Sequence, residues 1–132
     1  MIQVTCAILI EEQRILAVLR SMSMSRPGKW EFPGGKIEEG ETAEQCLIRE
    51  LQEELAISVE VIQPLTPSLF NYPDISIQLL PFLVKKISGE IQLSEHDACK
   101  WVSQSELNQL DWAEADIPIV EEINSKIDFA SY

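Results

Sequence analysis

Residues 2–10 are rich in Ile, Val and Thr, the polar run Glu11-Glu12-Gln13 interrupts, and Ile15 to Leu19 is apolar again. This pattern predicts two strands joined by a short turn, an opening hairpin. Serines, Pro27 and Gly28 mark a loop over about 21–29, after which Trp30-Glu31-Phe32 reads as a short strand running into Pro33-Gly34-Gly35. Thr42 with Gln45 three residues later is a capping-box signature, and Ala43, Cys46, Leu47, Leu51 and Leu55 then recur at helical spacing up to about Ala56. Residues 57–62 and 68–72 read as strands, and 75–87 as a long strand in which Pro81 points to an edge or a bulge. Ser88-Gly89 turns the chain toward Ile91-Gln92-Leu93, and Trp101-Val102 reads as a further short strand. Ser103 to Glu106 repeats the capping-box spacing before a short helix ending near Leu110. Pro118 opens a last helical stretch with Ile119, Val120, Ile123 and Ile127 apolar. The order β, β, α, β, β, β, α predicts an α+β fold, a mixed β-sheet sandwiched between α-helices.

At 132 residues and 45% hydrophobic content the chain is read as a single domain, 1–132. No apolar run reaches the roughly 20 residues that cross a membrane, and the N-terminus lacks a basic start and a small-residue cleavage site. The expected setting is cytoplasmic. Cys6, Cys46 and Cys99 are odd in number and lie in apolar surroundings, which predicts reduced, buried thiols. The lone His96 leaves no histidine cluster for zinc. Ten Lys+Arg against 22 Asp+Glu give a formal charge of -12, a field that repels a nucleic-acid backbone, so the expected partner is a small molecule and not a polymer or a membrane. Monomer and homodimer are not distinguished. The charge is unevenly spread: Arg20, Arg26, Lys29 and Lys36 fall together opposed only by Glu31, and acids crowd between Glu38 and Glu54. A basic loop beside an acidic helix suits a small anion held together with a cation.

On the predicted helix Glu50, Glu53 and Glu54 stand at i, i+3 and i+4, which places three carboxylates on one face. Like charges at this spacing repel unless a cation lies among them, and hard oxygen ligands select magnesium, with manganese as a substitute. Arg49 is placed to pair with Glu53 and orient a ligand. The segment before it, Gly34 to Glu41, is a glycine-rich loop whose backbone can approach a ligand closely.

Gly35, five residues, Glu41, seven residues, then Arg49-Glu50-Leu51-Gln52-Glu53-Glu54-Leu55-Ala56-Ile57 resembles the Nudix box, G-x5-E-x7-R-E-U-x-E-E-x-G-U with U aliphatic. Only the last glycine departs, Ala56 standing where the helix ends. The wider stretch Lys29-Trp30-Glu31-Phe32-Pro33-Gly34-Gly35-Lys36-Ile37-Glu38 is similar to the MutT branch, which hydrolyses nucleoside triphosphates to the monophosphate and pyrophosphate. The resemblance implies that Glu50, Glu53, Glu54 and the Gly34 carbonyl hold a magnesium ion, that Arg49 orients the carboxylates, and that Arg20 and Lys36 contact phosphates. It also implies that Glu95 brings a further carboxylate to the metal. Either Glu50 or Glu95 would take the proton of the attacking water.

Phe32 and Tyr72 resemble the walls of the MutT base pocket. The run Ala115-Asp116-Ile117-Pro118-Ile119-Val120-Glu121 is similar to the bacterial CTP pyrophosphohydrolase branch and would make Glu121 the cytosine reader, since a carboxylate accepts from the exocyclic amine. The resemblance therefore implies a nucleotide-clearing enzyme for CTP-type pyrimidine triphosphates. The alternatives are a sanitising enzyme for 8-oxo-dGTP and, from another class, a nucleotide sensor without catalysis.

Overall fold

The computed structural model describes residues 1–132. Its frame is β1 (Ile2–Glu11), which turns back at Glu12-Gln13 into β2 (Arg14–Leu19) through Ile10↔Ile15 and Glu11↔Arg14 pairs. Both turn residues have positive φ, 50° and 65°, the geometry of a tight two-residue hairpin. Two short strands follow, β3 (Trp30–Glu31) on β2 and β4 (Gly34–Lys36) antiparallel to β1 at Val4–Cys6. The glycine run is thus partly strand where a loop was expected.

Next come α1 (Ala43–Leu55), β5 (Ser58–Pro64), β6 (Ser68–Asn71), β7 (Ser76–Ser88) and β8 (Ala98–Val102). The chain ends in α2 (Gln104–Leu107), a 3-10 turn at Glu114–Asp116 and α3 (Ile117–Lys126). β7 runs parallel to β1 and takes β5 and β6 antiparallel on its other side, while β8 pairs β2.

Pro81 therefore lies in an interior strand and not at an edge. The sheet accommodates it because β5 pairs β7 only as far as Phe82 and β6 begins at Leu79. Pro81 faces the gap between them, where its carbonyl accepts the Leu65 N–H at 2.9 Å and no donor is required of it. The pairing shifts lie along β5. Ile91–Leu93 form no strand, and Cys99 is exposed on β8, while Cys6 and Cys46 are buried as expected.

Alternation along the central strands builds two cores. Cys6, Ile8, Ile10, Ile15, Ala17, Leu79 and Leu83 face α3, whose Ile119, Val120 and Ile123 complete that side. Ala7, Leu9, Leu16, Val18, Phe82 and Val84 face α1 and its Leu47, Leu51 and Leu55. The sheet is thus sandwiched between helices. Fully burying each such Leu or Ile contributes about 1.5–3 kcal/mol. No helix is long and apolar enough to cross a membrane.

Candidate active site

The carboxylate helix is fixed at both ends. Gln45 N–H donates to Thr42 Oγ1 at 3.1 Å and Thr42 N–H to Gln45 Oε1 at 2.9 Å, the reciprocal capping box its sequence announces. At the other end Ala56 adopts φ 59°, ψ 32°, and the amides of Ala56 and Ile57 return to the carbonyls of Gln52 and Leu51. Ala56 thus takes the left-handed turn that glycine takes more cheaply, by about 1–2 kcal/mol.

Once the leucines of α1 are buried, Glu50 and Glu54 lie one turn apart beside β4. A Cβ on Gly35 would come within 2.2 Å of the Glu50 carboxyl carbon, and one on Gly34 within 1.9 Å of the Thr5 carbonyl oxygen. Gly34 is therefore required by strand pairing, whereas Gly35 makes room for a functional side chain. Gly35→Ala is expected to retain the fold, because a side-chain end can move aside. Displacing the Glu50 carboxylate by about an ångström should lower kcat by about a hundredfold; kinetics beside thermal melting checks this, and unaltered kcat would dissociate Glu50 from the reaction.

Arg49 holds the cluster from the outside. Its Nε and Nη2 donate to the two Glu41 oxygens at 3.0 and 2.7 Å, Nη1 to Glu50 at 2.9 Å and Glu53 at 3.1 Å, and Nη2 to the Lys36 carbonyl at 3.3 Å. The Arg49 hydrogen bonds hold the Glu41 carboxyl down to about 2, aided by the Glu38 backbone N–H. The guanidinium is raised in turn, chiefly by Glu41.

Glu54 is the opposite case. Burial first, then the charges of Glu50, Glu31 and Glu95, push its carboxyl up to about 8, and its Oε2 is buried without a hydrogen-bond partner. Glu53, by contrast, turns outward to Arg49 with 61% of its side chain exposed, so the three helix carboxylates share a face without converging. No three acidic, histidine or cysteine side chains are gathered into a ready ligand set. The orphaned Glu54 oxygen beside Glu50, on a glycine shelf, nevertheless has the charge, the hard donors and the space that a divalent cation fits.

A cavity of about 290 Å³ opens from this point. Gly34, Lys36, Arg20, Glu54 and Glu95 line it together with Phe32 and Tyr72, so the structure brings most of the sequence-derived candidates into one space. Lys36 has no carboxylate within ion-pairing distance, whereas Arg20 pairs with Glu31 at 2.9 Å and Lys29 with Asp111 at 2.8 Å. Glu31 also meets His96 Nε2 at 2.8 Å. Glu121 lies outside this space, exposed on α3 with Ile117, Pro118 and Ser125.

Asp116, which the sequence did not single out, lines the cavity instead. Trp30 N–H donates to the Asp111 carbonyl and Ala113 N–H to the Trp30 carbonyl, both at 2.9 Å, seating the segment before α3 on β3. Phe32 packs on Trp112 with ring centroids 4.6 Å apart, and Asp116 Oδ2 accepts the Phe32 N–H at 3.0 Å. Burial, then Glu31, raise the Asp116 carboxyl well above its usual range.

Residues 1–123 match the NUDIX domain. The chain is 37% identical to the CTP pyrophosphohydrolase of Escherichia coli over 92% of its own length and 90% of that protein's. It is 35% identical to the 8-oxo-dGTP diphosphatase of the same organism, over 86% of this chain and 88% of that one. The solution structure of the E. coli ORF135 protein superposes with a TM-score of 0.84 at 35% identity, covering 94% of this chain and 89% of that one. With its carboxylate helix, glycine shelf and adjoining cavity, the chain belongs to the Nudix family and is a Nudix hydrolase.

Proposed function

We propose that this hydrolase cleaves a nucleoside triphosphate to the monophosphate and pyrophosphate, with a pyrimidine nucleotide of the CTP or dCTP type as its substrate and magnesium, or manganese, as its ion. The observation that carries this reading is one cavity lined both by Glu54, Glu95, Arg20 and Lys36, a cation without a carboxylate partner, and by Phe32, Tyr72 and Asp116. Glu50 and Glu54, with the Gly34 carbonyl and Glu53 swung from Arg49, would hold the ion. When bound it neutralises phosphate oxygens and lowers the pKa of water. Lys36 and Arg20 take the remaining phosphate charge. Glu95, exposed on the cavity wall and with no hydrogen-bonded partner, accepts the proton of the attacking water, whereas Glu50 is held by Arg49.

Base reading falls to Asp116 rather than Glu121. With Oδ2 accepting the Phe32 N–H, the other Asp116 oxygen is the one that donates when the carboxyl is protonated, so donor and acceptor stand in a fixed order that meets cytosine's N3 acceptor beside its N4 amine, the reverse of uracil's pair. Guanine also presents an acceptor beside a donor, and together with the similarity to an 8-oxo-dGTP diphosphatase this supports 8-oxo-dGTP as the second reading.

Pyrophosphate release with magnesium is measured across CTP, dCTP, 5-methyl-dCTP, dGTP, 8-oxo-dGTP, ADP-ribose and a dinucleoside polyphosphate. Cytosine compounds are expected to lead. Preference for 8-oxo-dGTP would replace the first reading by the second, and activity on ADP-ribose or the dinucleotide alone would remove both. Asp116→Ala is expected to lower the ratio of CTP to UTP turnover by about ten- to a hundredfold, the range for one lost base-edge pair. An unchanged ratio would take Asp116 out of the pocket.

A further inference from the structure

The Tyr72 wall of the cavity is not a bare ring. The Cζ of Arg26 lies 3.5 Å from the Tyr72 ring centroid, and both residues line the cavity. Its Nη2 donates to Asp74 Oδ1 at 2.6 Å and its Nη1 to Ser25 Oγ at 3.0 Å. Tyr72 is itself fixed: its hydroxyl accepts the Ala115 N–H at 3.1 Å and Phe70 packs on it with centroids 4.6 Å apart.

Holding Arg26 in this position has a cost. Its backbone sits at φ 53°, a left-handed conformation that a residue with a Cβ adopts at about 1–2 kcal/mol, and its Nε is buried without a partner. The ion pair does not explain that cost. Asp74 is 66% exposed, and such pairs contribute only about 0–1 kcal/mol. Nor does phosphate binding, because a phosphate contact needs charge and donors and not a seat over an aromatic ring, 3.5 Å from its centroid. What the arrangement provides is a flat, weakly hydrated cation, 16% exposed, held over the Tyr72 ring at the cavity wall. Guanidinium planes of this kind stack on nucleobases as readily as on aromatic side chains.

We propose that the Arg26 guanidinium, clamped on Tyr72 and anchored by Asp74, is the stacking surface for the nucleobase, giving a three-layer stack of base, Arg26 and Tyr72. This rests on the nucleotide reading above. Arg26 positions the ring of the base while Asp116 reads its edge, so its contribution is common to all bases.

The test is steady-state kinetics on Arg26→Lys and Arg26→Ala, using the triphosphate turned over best, with inhibition constants for its monophosphate and for pyrophosphate. Lysine keeps the charge and loses the plane. Both variants are expected to raise KM and the monophosphate Ki by about tenfold, at the low end of what base stacking contributes. The pyrophosphate Ki should stay unchanged and kcat should fall less than about twofold. Wild-type constants in Arg26→Lys would overturn the stacking role in favour of charge. A pyrophosphate Ki rising in step would make Arg26 a phosphate contact, and a lowered KM would make it a latch; either overturns the proposal. Failure of the nucleotide reading shows in the wild type, as no turnover of any nucleoside triphosphate, and the stack falls with it. Failure of the stack alone leaves wild-type turnover intact and shows only in the constants of the variants.

Discussion

Glu54→Gln is expected to lower kcat by about a thousandfold or more while making the metal-free protein more stable above neutral pH. The two effects have one cause. Glu54 is a half-buried carboxylate with an unpartnered oxygen, facing Glu50, Glu31 and Glu95, and its folded-state pKa is raised to about 8 from 4.5. Between those values the folded chain holds a proton that the unfolded chain has released. The Glu54 contribution to metal-free stability is therefore whole below about pH 4.5 and is lost as pH rises through about 8. Glutamine occupies the same space without that loss, so melting curves taken with a chelator should diverge with rising pH, the variant melting higher at pH 8.5 and level with the wild type at pH 4.5. Magnesium should restore the wild type at high pH and do little for the variant. Loss of a ligand to an ion that carries several kcal/mol of transition-state stabilisation accounts for the kinetic effect. If Glu54→Gln kept wild-type kcat, or melted lower than the wild type at every pH, the cation site would not include Glu54.

A carboxylate that is buried beside like charges with an unpartnered oxygen marks where local consistency has been given up, as functional sites do. The rest of α1 shows no such conflict, which is why it was the most legible part of the sequence. Its capping box, its leucine stripe and its end near Ala56 all follow from interactions within about four residues. The box positions and the cavity residues Arg20, Phe32, Lys36, Tyr72 and Glu95 were legible through motif and resemblance. What escaped depends on contacts distant in sequence. Asp116 is brought to the cavity by the Trp30 hydrogen bonds to Asp111 and Ala113 and by the Phe32 N–H, contacts more than 80 residues apart in sequence. The helical pattern of Ile119, Val120 and Ile123 turns Glu121 away to solvent. Glu53 shares the helix face of Glu50 and Glu54, yet the Arg49 fork draws its carboxylate outward, an outcome that spacing does not encode. Pro81 signalled an edge or a bulge because the proline rule speaks of missing donors, and a break between two partner strands meets that rule inside a sheet.

Arg49→Lys should be nearly as damaging as loss of a carboxylate, although it keeps the charge. The guanidinium makes five hydrogen bonds of 3.3 Å or less: two to Glu41, one each to Glu50 and Glu53, and one to the Lys36 carbonyl. An ammonium has three donors at a single point and cannot span Glu41 and Glu50 together. The expected outcome is a magnesium requirement raised by about ten- to a hundredfold, the usual cost of losing a group that orients metal ligands. Stability against acid changes too. The folded-state pKa of Glu41 is lowered to about 2, chiefly by Arg49, so its contribution is present above about pH 4.5 and lost as pH falls through about 2. Without the fork that pKa moves back toward 4.5, and the variant's melting temperature, already lower at pH 7, should fall less steeply with acid than the wild type's. Parallel acid limbs would mean that Glu41 owes its shift to the Glu38 backbone N–H, and an unchanged magnesium titration would show that the carboxylates need no positioning by Arg49.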